Sequence, residues 1–518
     1  MTKRAVVIGT GAGGLTAAVG LAQAGFEVVA LEREKQLGGF LNPFKRKKFH
    51  FDPGVHYVGQ CDPGGDMYRV LERCGLDPAA IMAPMDPECF DLLRFPDFEV
   101  KVPQGVDRYR ANLLELFPED QSDLDRYFAV VRAMLPLMRS DTSGARKLMN
   151  VPRIARLALE TYGQYLDRTF ENPRLRSVLG AQCGDYGLPP SQAPALLGVG
   201  LLAHYLDSGG WFPRGGSGSL RDGLVDAGRK LGVVYKRRAE VARIHTEGGR
   251  VSGVTLTDGE YFPADVVISN IDPTLTYGRL LDSDVVPSKL QKKVAKNLPS
   301  VGSLCLYYGM NRDLRQHGLG AFNVWDYHTW NLDEAFGYAL RGTELPEDYA
   351  FFLSPNSLKD DTNQMAPEGM STLEVVTLVP FAPFAKWQNE RALKRGEEYE
   401  AFKAETAATL RAAVDRRWPG VIGDVVVEDV STPLSNMHFA GVVAGGIYGP
   451  AVIPSQFGPN AYSAKGPVEG LFLAGSGVTG PGVSPCLASG IKAARAAAKS
   501  RSKRLGWLPL RAPTLARS

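Results

Sequence analysis

Apolar and polar positions change their rhythm along this 518-residue chain, and the changes mark out its elements. Ala5 to Ile8 is an unbroken apolar run, Leu15 to Ala24 is a longer stretch of small and apolar residues, and Glu27 to Leu31 is apolar again. Short continuous runs suit strands buried on both faces, and the stretch between them suits a helix packed on those strands. The order predicts a βαβ unit. In the middle of the chain, Phe212 to Pro273 reads as a glycine turn, an amphipathic helix, alternating strands with a hairpin at Asp258-Gly259, and a last buried strand from Asp265 to Ser269. Close to the carboxyl end, Phe472 to Ala497 repeats the opening order of apolar run, glycines and small-residue helix. A long insertion between pieces of one parallel sheet accounts for the repetition, with the final strand, Leu471 to Ala474, supplied by the far end of the chain.

The glycines carry the first chemistry. Gly9-Thr10-Gly11-Ala12-Gly13-Gly14 satisfies GxGxxG between a strand and a helix. Gly9 permits the tight turn, Gly11 lets a pyrophosphate approach the backbone, and Gly14 lets helix and strand pack closely, so the amides from Gly11 to Gly14 aim at phosphate. Glu32 closes the second strand, where a carboxylate accepts hydrogen bonds from ribose hydroxyls, and Arg33 follows it. The run Gly215 to Gly218 lacks a clear preceding strand and the complete fingerprint, so one dinucleotide site is expected and not two.

Composition narrows the classes. The length exceeds what one core supports, 44% apolar residues supply material for several, and a net charge of +3 argues against a nucleic-acid binder. Cys61, Cys74, Cys89, Cys183, Cys305 and Cys486 form no CxxC pair and no metal-ligand spacing, so they are expected as buried small apolar residues in a reducing, cytoplasmic setting. The first strand begins by Ala5, so no signal peptide is expected ahead of it. Ala193 to Leu206 is shorter than the ~20 residues needed to span a bilayer, so no membrane span is expected. Ser143 to Leu166 and the tail from Arg501 interleave basic with apolar residues, a pattern that suits an anionic membrane surface but is met somewhat more often in a solvated helix face or a disordered tail.

Past Glu32 the sequence "REKQLGGFLNPFKRKKFHFDPGVHYVGQ" supplies the pair Gly38-Gly39 and the turn Asp52-Pro53-Gly54. It resembles the phytoene desaturase, carotenoid isomerase and retinol saturase family of the amine oxidase-like flavoproteins. In the amine oxidase branch arginine commonly follows the glycine pair, whereas Phe40 follows here, and "FDPGVHYVG" resembles the polyene-converting branch. The resemblance implies FAD held extended, with adenosine at the first βαβ unit, the Val241 backbone at the adenine, and Gly475 and Ser476 over the ribityl-phosphate region. Ser476 stands where many flavoproteins carry aspartate. Gly482, Val483 and Ser484 are expected to border the isoalloxazine.

The fold implied is α/β: a Rossmann-like FAD-binding domain built from residues 1–74, 210–284 and 429–500, an α+β substrate domain from 75–209 and 285–428, and a basic tail, 501–518. The activity implied is desaturation, saturation or isomerisation of a lipophilic polyene or isoprenoid by hydride exchange with flavin N5, with the electron partner left open. His56 is the candidate catalytic residue. Read as a strand, "GVHYVG" puts His56 and Tyr57 on opposite faces. Trp325, Tyr327, Trp330, Phe381, Phe384 and Trp387 are candidates for a substrate tunnel. A flavin amine oxidase and a flavin-binding scaffold without turnover are the competing functions.

Overall fold

The computed structural model describes residues 3–139 and 152–502. Much of the basic stretch after Ser143 and nearly all of the carboxyl tail, 503–518, lie outside the described residues.

Five short strands from widely separated parts of the chain form one parallel sheet in the order Leu471–Leu473, Val266–Ser269, Arg4–Ile8, Glu27–Leu31, Val234–Lys236. Arg4–Ile8 is central and buried at all but its first residue, as its unbroken apolar run requires. Helix Ala12–Gln23 and helix Val483–Ser502 pack together through small residues. A methyl group at Gly20 would stand 2.9 Å from the Ala494 methyl, and one at Gly490 would overlap the Gly13 carbonyl oxygen. The Thr16 hydroxyl donates to the Leu487 carbonyl at 2.7 Å and ties the two helices across the sequence. A three-stranded antiparallel sheet, Val241–Glu247, Arg250–Leu256 and Tyr261–Pro263, leads into the strand at Val266.

A seven-stranded mixed sheet forms the second lobe, in the order Val425–Ser431, Gly302–Met310, Ser371–Val379, Phe351–Ser354, Asn323–Asp326, Asp91–Arg94, Glu99–Val102. Its two-residue period divides the side chains between two cores. Leu304, Leu306, Val324, Leu353, Leu373 and Val375 face helix Glu397–Arg417. Trp325, Phe352 and Leu378 face the other way, toward a helical layer that includes Gln121–Met138 and Ala195–Ser208. The strand Val425–Ser431 runs across the boundary expected at 428/429 and pairs along its length with Gly302–Met310, so the chain leaves this sheet only after Ser431. The apolar run near Ala193 becomes the helix Ala195–Ser208, and among the described residues no helix is long and apolar enough to cross a membrane.

Candidate active site

A cavity of about 620 Å³ opens where the carboxyl ends of the parallel strands meet the inner face of the mixed sheet. Its volume lies inside the ~300–1,000 Å³ that small-molecule and cofactor sites occupy. Gly9, Gly11, Ala12, Gly13, Glu32, Arg33, Gly38, Gly39, Val241, Gly475, Ser476, Gly482, Val483, Ser484 and His56 all border it. Gly14 does not. A methyl group there would overlap the Gly9 carbonyl oxygen, so Gly14 serves the close approach of helix to strand.

The nucleotide half is built by local geometry. Gly9 has φ +84°, and its amide donates to the Leu31 carbonyl at 2.8 Å, which fixes the turn. Helix Ala12–Gln23 starts without a side-chain cap or an acidic residue in its first turn, so its orphan amides face the cavity unneutralised. Glu32 is 9% exposed and accepts from the Thr10 amide at 3.0 Å, the Thr10 hydroxyl at 2.6 Å and the Glu34 amide at 3.0 Å. Arg33 is held aside by the His438 carbonyl at 2.9 Å.

Asn270, directly after the strand Val266–Ser269, was not singled out by sequence reasoning. Its Oδ1 is buried without a hydrogen-bond partner and stands 2.5 Å from where a Gly13 methyl would be and 3.1 Å from a Gly475 one. An orphaned amide oxygen between two glycine turns, beside uncapped helix amides, fits a dinucleotide that brings its own donors and anionic oxygens. The second glycine run is different. The Ser217 amide and hydroxyl both donate to the Asp52 carboxyl, the amide at 3.0 Å, so that helix start already holds an acid of the chain itself.

The other half of the cavity is mostly apolar and aromatic. Trp325 and Phe352, cross-strand neighbours with ring centroids 4.5 Å apart, join Leu197, Leu201, Tyr205 and Tyr448 on its wall. Of the six aromatic residues expected at a tunnel, Trp325 is the one on this wall; Phe384 and Trp387 pack in the core beneath helix Glu397–Arg417, and Tyr327 belongs to the core of the helical layer. The segment around His56 is also corrected. Residues 54–57 form a turn and bend, not a strand, so strand alternation does not apply and His56 and Tyr57 both reach the cavity.

Beneath them lies a set of buried charges. His56 Nδ1 is 3.2 Å from Glu374 Oε2, and Glu374 Oε1 accepts from the Asp52 amide at 2.8 Å. Lys359 Nζ donates to the His56 carbonyl at 2.6 Å and to Asn323 Oδ1 and Ser354 Oγ at 2.7 Å each. Burial pulls the Lys359 ammonium down to about 7, against the opposing pull of Glu374, Asp91 and Asp52. Burial likewise pushes the Asp52 carboxyl up to about 7, and His204 on the cavity wall down to about 4, so that imidazole is neutral at pH 7. Asp91 is fully buried; its Oδ2 is 2.7 Å from Gln182 Nε2 and 3.0 Å from the Tyr57 hydroxyl, which also lies 2.6 Å from Asp185 Oδ2. Charged residues inside apolar strand runs, Glu374 in "STLEVVTLV" and Asp91 in "CFDLLRF", were the available signal.

A parallel sheet with glycine turns from both ends of the chain, joined to a mixed-sheet lobe over one cavity, defines the architecture of a two-lobed flavoprotein. The chain belongs to the flavin containing amine oxidoreductase family, whose profile matches residues 12–498. It is similar to all-trans-retinol 13,14-reductase of Danio rerio, with 26% identity over 501 residues, 91% of this chain and 82% of that protein. It is similar also to the zeta-carotene-forming phytoene desaturase of Myxococcus xanthus, with 28% identity over 506 residues, 93% of this chain and 90% of that one. A redesigned putrescine oxidase has the same fold, at a TM-score of 0.65 and 15% identity over 96% of this chain and 99% of that one. The chain is therefore a flavin oxidoreductase, and FAD is the usual form of the cofactor in such proteins.

Proposed function

We propose that this enzyme exchanges hydrogen at carbon–carbon bonds of a long polyene or isoprenoid of the retinoid or carotenoid kind. The observation that carries the reading is the cavity itself, which continues from the glycine turns into a chamber walled by Trp325, Phe352, Leu197 and Leu201. Such a wall excludes water and offers little to orient a charged substrate, but it suits a conjugated chain lying flat against aromatic faces. The names of the retinol reductase and phytoene desaturase relatives point the same way.

In this reading Gly11, Ala12 and Gly13 present backbone amides to the pyrophosphate, Glu32 faces the adenosine ribose, and Gly475, Ser476, Gly482, Val483 and Ser484 hold the flavin end. A bound flavin supplies hydride acceptance or donation at N5. The protein's own part is to lay the polyene against that position, keep water out, and manage a proton from the polar groups at His56 and Tyr57. Anaerobic incubation of flavin-loaded protein with a panel of retinoids and carotenoids, oxidised and reduced, followed by product analysis, tests the proposal. Altered polyene hydrogenation or geometry is expected; peroxide formation from amines with no polyene converted overturns it.

A further inference from the structure

The Tyr57 hydroxyl has one hydrogen and two carboxyl neighbours, Asp185 Oδ2 at 2.6 Å and Asp91 Oδ2 at 3.0 Å. With both acids ionised, one of these short contacts would set a buried anion against an oxygen lone pair. One acid must therefore carry a proton and donate it to the tyrosine oxygen.

The surroundings decide which. Asp91 is fully buried but well supplied with donors: Gln182 Nε2 at 2.7 Å, Asn323 Nδ2 at 3.1 Å and Trp325 Nε1 at 3.4 Å. The Lys359 Nζ, 2.7 Å from the oxygen of the same Asn323 amide, adds partial positive charge behind it at pH 7. Asp185 has only Tyr57 as a side-chain hydrogen-bond partner and no ion pair among the described residues. Its other ionisable neighbours among the described residues include Tyr205, Tyr448, Cys183, Tyr186 and Tyr327, and none of these supplies positive charge at pH 7. Burial and the Asp91 charge both push the Asp185 carboxyl well above the usual carboxylate range. Asp91 is held lower, at about 6, because its donors oppose the same burial.

Asp185 also stands where a proton is useful. It ends the short helix Ala181–Asp185, borders the cavity, and lies beside Tyr448, whose hydroxyl donates to the Gly184 carbonyl at 2.9 Å. Tyr57 is clamped against Tyr205, with stacked rings 4.5 Å apart.

We infer that Asp185 is a catalytic acid: its carboxyl holds a proton that it exchanges with a carbon of the substrate, while Tyr57 turns its hydroxyl from Asp91 to the Asp185 carboxylate once the proton has gone. The inference rests on the polyene reading above. In the reducing sense the π pair of one carbon–carbon double bond forms a C–H bond with the Asp185 proton as the carboxyl O–H bond breaks. The adjacent carbon takes a hydride, with its two electrons, from a dihydroflavin, which is oxidised. In the desaturating sense Asp185 would first have to give its proton to solvent, after which its carboxylate would take a proton from the substrate carbon while the hydride from the adjacent carbon would pass to the oxidised cofactor. In the reducing sense the new anion at Asp185 then accepts the Tyr57 hydrogen bond, and Asp91 keeps its other three donors.

The test combines infrared spectroscopy with turnover. The infrared difference at pH 7 between flavin-loaded wild type and Asp185→Asn should contain a protonated-carboxyl C=O band that shifts in D₂O, over and above the band that Asp52, at about 7, contributes to both proteins. That variant should keep its FAD while turnover per flavin falls by about 100-fold or more, within the range of a positioned acid. Asp185→Glu, which restores the proton, should recover most of the activity. No protonated-carboxyl band in that wild-type-minus-Asp185→Asn difference overturns the inference whether or not the variant folds well. So does wild-type turnover in Asp185→Asn, and in that case the polyene reading stands. A wild type that has the band but converts no polyene overturns the substrate reading, and proton delivery to a polyene with it.

Discussion

Adding one methyl group at Gly11 or at Gly14 should harm different properties of this protein. At Gly11, where φ is −61° and any residue is comfortable, a methyl would meet only the Asn270 side-chain nitrogen, at 3.0 Å, and that amide can swing a few tenths of an ångström. Gly11→Ala should therefore fold with a stability within about 1 kcal/mol of the wild type. The methyl projects into the cavity where the pyrophosphate is proposed to lie. Displacing one charge-assisted amide–phosphate hydrogen bond costs about 1.5–3 kcal/mol, or about 10- to 150-fold in FAD affinity. At Gly14 the methyl would overlap the Gly9 carbonyl oxygen and stand 3.0 Å from its carbon, and this turn is pinned by the Gly9 amide on Leu31. Helix and strand must part, at about 3 kcal/mol or more, the upper range for overpacking. Titration of apo-protein with FAD, followed by flavin fluorescence, measures the first effect, and urea unfolding of the apo-forms measures the second. Gly11→Ala with wild-type FAD affinity, or Gly14→Ala with wild-type stability, would refute the reasoning.

Three further outcomes are expected. His56→Ala should keep FAD content and melting temperature near the wild type while turnover falls ~100-fold; a lower melting temperature with normal turnover per flavin would make His56 a packing residue. Because burial holds Lys359 at about 7 against an ordinary 10.5, the folded protein binds fewer protons than the unfolded chain between those values. This group's share of stability thus rises with pH across that window and is lost as pH falls through about 7, and Lys359→Met should remove that slope in urea unfolding at about pH 7 and about pH 9. Sedimentation with anionic and neutral vesicles tests the basic segments: preference for anionic vesicles with release by salt is expected, and equal absence of binding ends the idea of a membrane dock.

Local rules made the nucleotide half readable. The apolar runs Ala5 to Ile8 and Leu471 to Leu473 have no polar face to offer water, and both are buried strands of one parallel sheet. The substrate half depends on partners far apart in the sequence. Trp325 reaches the cavity because it pairs with Phe352 in one register of the mixed sheet, while Phe384 and Trp387 lie beyond that sheet's other face. Composition alone could not separate them. Tyr57, Asp91 and Asp185 are joined by a turn, a strand and the end of a short helix, and no period in the sequence links those three. The strand reading of "GVHYVG" failed because Asp52-Pro53-Gly54 turns the chain before alternation can begin.

The central claim is that one cavity holds a flavin against a polyene and passes hydrogen between them. An anaerobic single-turnover measurement tests it most directly, with flavin absorbance and polyene products followed in the same sample. The account predicts that the bound flavin changes its redox state in step with conversion of one carbon–carbon bond per flavin. Flavin that stays unchanged with every polyene, and is reduced stoichiometrically by an amine, would contradict it.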